Sequence, residues 1–155
     1  MSDVLTLDDV RLGGKVVLYR VDVNSPLEPS SGAFLDDSRL RAIIPTLRTL
    51  QNSKVVMLGH QSRPGKIDFT NMEQHADRIS RLIGKKVKFI SDICGDEAIS
   101  SIKNLKIGEM LFLDNIRMHD DENSMKKASL EETAQSEIVR KLSSVIDVYV
   151  TDAFA

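Results

Sequence analysis

Two regularities predict an α/β fold, a three-layer doubly wound parallel sheet of five or six strands with helices on both faces. Short apolar runs recur along the chain mostly without polar alternation, and segments of helical period separate them. A strand covered on both sides has no solvent face to make polar, so unbroken apolar runs point to a parallel sheet with helices above and below it. The alternation of strand and helix then implies right-handed crossovers.

Five runs carry the strands: KVVLYRVDV (15–23), KVVMLGH (54–60), KVKFI (86–90), EMLFL (109–113) and DVYVT (147–151). Between the first two, Leu40, Ile43, Ile44, Leu47 and Leu50 share one helical stripe. Asp36, Asp37 and Ser38 can cap its start, and Pro45 inside the pattern demands a kink or a fresh helix. Ala76, Ile79, Leu82 and Ile83 form a second stripe, stopped by Gly84. Residues 95–103 and 130–144 read as the remaining helices. SPLEPSSGAF (25–34), with two prolines and a glycine, reads as a surface loop or small hairpin. The last residues, TDAFA, follow the fifth strand where an α/β sheet would run on into another loop and helix, which reads as a cut rather than a natural terminus.

A chain of 155 residues is the size of one domain, able to bury roughly two thirds of the surface it exposes unfolded. Its formal charge of -2 and charged fraction of 28% give no global bias towards nucleic acid or membrane, so any anion site must be local. The start, MSDVLTLDDV, lacks the features of a signal peptide, and no run approaches the ~18 apolar residues that span a bilayer; a cytoplasmic location is expected. Cys94 is the only cysteine, which excludes an internal disulfide and a thiolate cluster and suggests a reduced bystander. His60, His75 and His119 lack metal-ligand spacing, so no metal site is expected.

Ligands of open parallel sheets bind beyond the carboxyl ends of the strands. The first strand leads there into Arg20, Asp22 and Asn24, the second into His60 and Arg63, the fourth into Asp114, Asn115, Arg117 and His119, and the fifth into Asp152. The third leads only into SDICGDE. Arg39, in the first turn of the helix after the long loop, is close enough in sequence to lean over the same edge. A cluster of Arg39, His60, Arg63 and Arg117 would hold a small anion, because the planar guanidinium donates two parallel bonds to phosphate or carboxylate. Asp22 and Asn24 are available to hydroxyls.

Taken singly, each residue has a plainer reading. Arg20 can pair with a carboxylate, Arg39 can be solvated like Arg41 and Arg48, His60 can be an ordinary strand-end histidine, and His119 with Asp120, Asp121 and Glu122 reads as a solvated acidic loop. Their coincidence on one edge makes the case for a site. Residues 59–66 imitate a phosphate loop, but five residues rather than four separate Gly59 from Gly65, Pro64 interrupts, and Ile67 replaces the hydroxyl residue. Gly13 and Gly14 precede a strand and make a turn. A non-enzymatic anion-binding α/β module remains open on these residues alone; a receiver-like switch domain would want an acidic pocket instead.

RVDVNSP (20–26), DDSRLRAIIPTL (36–47), LGHQSRPG (58–65), FLDNIRMH (112–119) and DVYVTDAFA (147–155) resemble, in order and spacing, the N-terminal domain of the phosphoglycerate kinase family. The resemblance spans nearly the whole chain. It implies that residues 1–155 are the N-terminal substrate-binding domain of a cytoplasmic glycolytic enzyme, monomeric at full length. That enzyme moves a phosphoryl group between 1,3-bisphosphoglycerate and ADP, giving 3-phosphoglycerate and ATP. Residue by residue, the implied substrate contacts are Asp22, Asn24, Arg39, His60, Arg63 and Arg117, with Arg39 stabilising the group in flight. Mg-ATP or Mg-ADP would bind a second domain absent here, with no cofactor expected in this fragment, which should be inactive alone and bind 3-phosphoglycerate at millimolar affinity or weaker.

The family's usual SHLGRP is here GHQSRP, so Ser62 puts a side chain at a tight strand-to-loop position; ENLRFH is here DNIRMH, and DAFG is DAFA.

Overall fold

The computed structural model describes residues 4–153; residues 1–3 and the Phe154 and Ala155 of the DAFA motif lie outside it. All five apolar runs are strands: β1 (Val16–Arg20), β2 (Lys54–Leu58), β3 (Val87–Ile90), β4 (Met110–Leu113) and β5 (Val148–Thr151). They pair in parallel in the order β3-β4-β2-β1-β5. Successive side chains of a strand point to opposite faces. Val17, Tyr19, Val55, Met57 and Phe112 therefore enter one core, while Leu18, Val56, Leu58, Leu111 and Leu113 enter another. Two cores explain why the runs are apolar at every position.

Helices α1 (Ser38–Ala42), α2 (Ile44–Thr49) and α3 (Glu73–Ile83) bring Leu40, Leu47 and Ile79 to the first core. On the other face, α4 (Asp96–Lys103) brings Ala98 and Ile102, and α7 (Glu137–Ser143) brings Ile138 and Leu142. The chain steps across the sheet from β1 to β3 under the first set and returns from β3 to β5 under the second. A reversal of direction at constant crossover hand requires the change of face. As a result the neighbours β2 and β4 send their chains to opposite faces, opening a crevice between their carboxyl ends, the place where such sheets bind ligands.

Local chemistry settles the details. Pro45 begins a fresh helix, standing in the first turn of α2 where its missing N–H costs nothing. Asp36 caps the start of α1 by accepting from the Ser38 amide at 2.8 Å, while the Asp37 carboxylate binds Arg41 and Arg78 instead. Gly84 ends α3 at φ 69°, the left-handed conformation that glycine adopts without strain.

Two readings change. Segment 130–144 is not one helix but α6 (Leu130–Ala134) and α7, because the Ser136 hydroxyl accepts from the Val139 amide and starts a new helix. The acidic residues after His119 form a short helix, α5 (Asp120–Ser124), in which the His119 side chain caps the Asp121 amide at 3.2 Å and the carboxylates sit at the positive end of the helix dipole. Segment 25–34 is a small hairpin bridged at Leu27 and Phe34. No helix among the described residues is long and apolar enough to cross a membrane.

Phe112, fully buried in β4 next to both β2 and β3, should be a main support of the first core. Phe112→Ala is expected to cost about 3–5 kcal/mol in denaturant unfolding, against less than about 0.5 kcal/mol for Lys88→Gln, whose side chain is exposed on β3.

Candidate functional site

The crevice is built where β2 and β4 end. Gly59 follows β2 and passes so close to the exit of β1 that a Cβ there would stand 3.1 Å from a Val21 methyl and 3.2 Å from its carbonyl oxygen. The Gly59 carbonyl accepts from the Ile116 amide at 3.1 Å, joining the two strand exits. His60, the next residue, is half-buried in the centre of this edge.

Cations surround that imidazole. Arg39 donates from Nη1 to Asp22 Oδ1 at 2.7 Å and remains half exposed. Arg117 donates from Nη1 to the Ser62 carbonyl at 2.6 Å, and Arg20 stands 3.8 Å from Glu122. Burial, then the charges of Arg117, Arg20 and Arg39, push the His60 pKa down to about 4, with Asp22 acting in the opposite direction. The imidazole is thus neutral at physiological pH. Its Nδ1 is buried without a partner, which leaves Nε2 as the nitrogen able to meet a ligand.

Asp22, Arg39, His60 and Arg117 therefore converge, with Arg20 joining them. Asn24 stands behind them, its Oδ1 accepting from the Ser62 amide at 2.9 Å. Arg63 does not join the group: it lies in an exposed turn where its carbonyl accepts from the Lys66 amide, and its guanidinium makes no hydrogen bond or ion pair among the described residues. A neighbouring cavity of about 740 Å³ reaches only Arg20 and Arg117 of this set.

Behind the charged edge lies a polar scaffold that no sequence pattern marks. Ser62, at φ 58°, is the one non-glycine residue at positive φ among those described. Its amide goes to Asn24, its carbonyl to Arg117 and its hydroxyl to Asp68 Oδ1 at 2.5 Å, so the strained residue links three others. Asn115 donates to the carbonyls of Gln61 and Thr70, both at 2.8 Å, and accepts from the Arg117 amide at 3.1 Å. Gln61, fully buried, is clamped by the Ser25 amide and carbonyl at 3.1 and 2.8 Å. That clamp fixes which end of the amide faces His75, so His75 Nε2 donates to Gln61 Oε1 at 3.1 Å. Burial pushes the His75 pKa down to about 4.

The 59–66 turn is not built as a phosphate loop. After the 59–66 turn the next helix, α3, begins only at Glu73, so no helix N-terminus follows Gly65 to cradle a phosphate.

Two outcomes follow from these contacts. Both His60 and His75 have folded-state pKa values below the ordinary 6.5, so the unfolded chain takes up protons at pH 5 that the folded one refuses. Their contribution to stability is complete above pH 6.5 and declines as pH falls towards 4. In an NMR titration their imidazole signals should stay in the neutral position down to about pH 5. Asp68→Ala should destabilise the protein more than Ser62→Gly. The first removes the hydroxyl's partner and keeps the strain; the second loses a hydrogen bond of about 1 kcal/mol but relieves a backbone cost of similar size. Thermal unfolding of the two variants checks the order.

Comparison with known proteins places the chain in a family. The family model of phosphoglycerate kinase matches residues 7–155. Phosphoglycerate kinase from Methanocorpusculum labreanum is 46% identical over 149 residues, covering 96% of this chain and 36% of the relative. That from Methanothermus fervidus is 45% identical over 157 residues, covering all of this chain and 38% of its own. The crystal structure of phosphoglycerate kinase from Pyrococcus horikoshii OT3 superposes with a TM-score of 0.92 at 40% identity, over 98% of this chain and 37% of that one. The chain thus spans little more than a third of the length of these relatives. With a five-stranded parallel α/β sheet and a family match that covers nearly all of its residues, the chain belongs to the phosphoglycerate kinase family.

Proposed function

We propose that this chain supplies the phosphoglycerate-binding part of a phosphoglycerate kinase and does not catalyse transfer by itself. The observation that carries this reading is the convergence of Arg39 and Arg117 on a neutral His60 at the sheet's switch point. In the proposed reaction the carboxylate oxygen of 3-phosphoglycerate forms a bond to the terminal phosphorus of ATP as the bond to ADP breaks; the reverse step returns the group from 1,3-bisphosphoglycerate. A carboxylate is already an adequate attacker, so the protein needs no nucleophile and mainly positions and neutralises charge. Arginines without a partner base suit that task.

Roles follow from placement. Arg117 and Arg63 would meet the phosphate end of the substrate; Arg63, exposed and unengaged among the described residues, would reach in from its turn. Arg39, bound to Asp22 through one nitrogen, keeps its other donors for the group in transfer. His60 Nε2, Asp22 and Asn24 would take the hydroxyl and carboxylate. Mg-ADP or Mg-ATP would be held by residues beyond those of this chain, as the resemblance implies. A cytoplasmic, monomeric full-length enzyme belongs to the same reading.

Titration with 3-phosphoglycerate, followed by backbone amide NMR, should perturb His60, Arg63 and Arg117 with millimolar or weaker affinity. Arg117→Met is expected to weaken binding at least about tenfold, the worth of one charge-assisted hydrogen bond of about 1.5 kcal/mol or more. The ligand's negative charge should also raise the His60 pKa from about 4, since it opposes the arginine field. Unmoved signals at saturating ligand would refute the assignment.

A further inference from the structure

On the far side of the β4 exit, three side chains from three separate elements meet. Cys94 lies in the turn between β3 and α4, His119 caps α5, and Glu137 begins α7. Cys94 Sγ stands 3.5 Å from His119 Nε2, and Glu137 Oε2 stands 3.6 Å from the same nitrogen. All three donor atoms lie within 4.8 Å of one another. None of them takes part in the anion site.

We propose that Cys94, His119 and Glu137 form a binding site for a divalent transition cation of zinc-like preference, completed by water. The two distances to His119 Nε2 match one. A tetrahedral zinc ion with bonds of about 2.3 Å to sulfur and about 2.05 Å to nitrogen and oxygen sets sulfur and nitrogen ~3.6 Å apart and nitrogen and oxygen ~3.4 Å apart. Thiolate, imidazole and carboxylate are the three donor types that this ion takes.

The surroundings meet the other requirements. A cavity of about 310 Å³, lined by Asp92, Cys94, Asp114, His119 and Glu137 among others, gives a path from solvent. The turn that carries Cys94 is fixed by Asp92, whose carboxylate accepts from the amides of Ile93, Gly95 and Ala98 at 2.8, 3.1 and 2.8 Å. Asp121 and Asp92 add negative charge around the sulfur, with Lys141 as the opposing cation. Lys141 occupies Glu137 Oε1 at 2.5 Å and leaves Oε2 to face the imidazole.

Coordination through Nε2 requires the imidazole proton to sit on Nδ1. That nitrogen now accepts from the Asp121 amide at 3.2 Å, so loading exchanges this cap for an Nδ1–H bond to Asp121 Oδ2, at present 3.8 Å away. A carboxylate behind a ligating histidine is the usual outer-shell arrangement. The Cys94 proton leaves to solvent as the thiolate binds. A filled site would tie the β3–α4 turn, the α5 cap and α7 together on one face of the sheet.

Cobalt(II) added to the full chain is the test. One equivalent should give a sulfur-to-cobalt charge-transfer band together with the intense visible bands of a tetrahedral ion. Cys94→Ala should lose the charge-transfer band, and Glu137→Gln, at a half-exposed position, should bind at least about tenfold more weakly. Zinc(II) should displace cobalt and raise the unfolding temperature of the parent chain. A folded parent that shows no charge-transfer band at one equivalent would overturn the proposal, as would an unchanged spectrum in Glu137→Gln. Should Cys94→Ala fail to fold, the Glu137→Gln result decides. Binding of 3-phosphoglycerate is read separately, so the two assignments stand or fall independently.

Discussion

The hydrogen bonds that lock the exit of β2 to the exit of β4 hold the charged edge in place. The Gly59 carbonyl binds the Ile116 amide, and Asn115 reaches back to the carbonyls of Gln61 and Thr70. These two strands are neighbours whose chains leave towards opposite faces, so without such ties nothing would keep their first residues together. Buried backbone groups at such an exit need partners, and the Asn115 amide supplies two of them at once. His60 and Arg117 take their positions from that lock.

Charge is organised around it with partial cancellation. Arg39 has Asp22 as a partner and Arg20 has the more distant Glu122, while Arg117 rests on a carbonyl that carries no net charge. Burial first, and then the resulting field, keep His60 neutral. Arg117 thus keeps a charge that no carboxylate offsets among the described residues, which suits the holding of an anion. Ser62 sits at the junction, its left-handed backbone held by three partners, and strain of this sort persists where the surroundings over-determine it.

The same strand exit serves two directions. Arg117 turns towards β2, whereas His119, two residues on, turns towards α4 and α7 and meets Cys94 and Glu137. A single 3-10 turn, Ile116–Met118, carries Arg117 and ends at His119, and the two side chains make their contacts on different sides of the β4 exit.

Much of this was legible in the chain. Unbroken apolar runs identified all five strands, because burial on both faces leaves each position no polar option. Gly84 and Pro45 marked helix boundaries through their backbone restrictions, and the strand-end rule gathered Asp22, His60 and Arg117 on one edge together with Arg39. Tertiary structure decided what depends on distance. Ser136 and His119 became helix caps, Arg63 stayed apart from the cluster, and Gln61 and His75 paired in the interior, 14 residues apart in sequence. The convergence of Cys94, His119 and Glu137 follows no local spacing, since two different crossovers, β3 to β4 and β4 to β5, deliver them. Periodicity records which face a residue presents, and so reads out burial; which polar atoms touch is set only when the crossovers close, because a hydrogen bond or a ligand set is fixed to within tenths of an ångström and sequence separation carries no such measure.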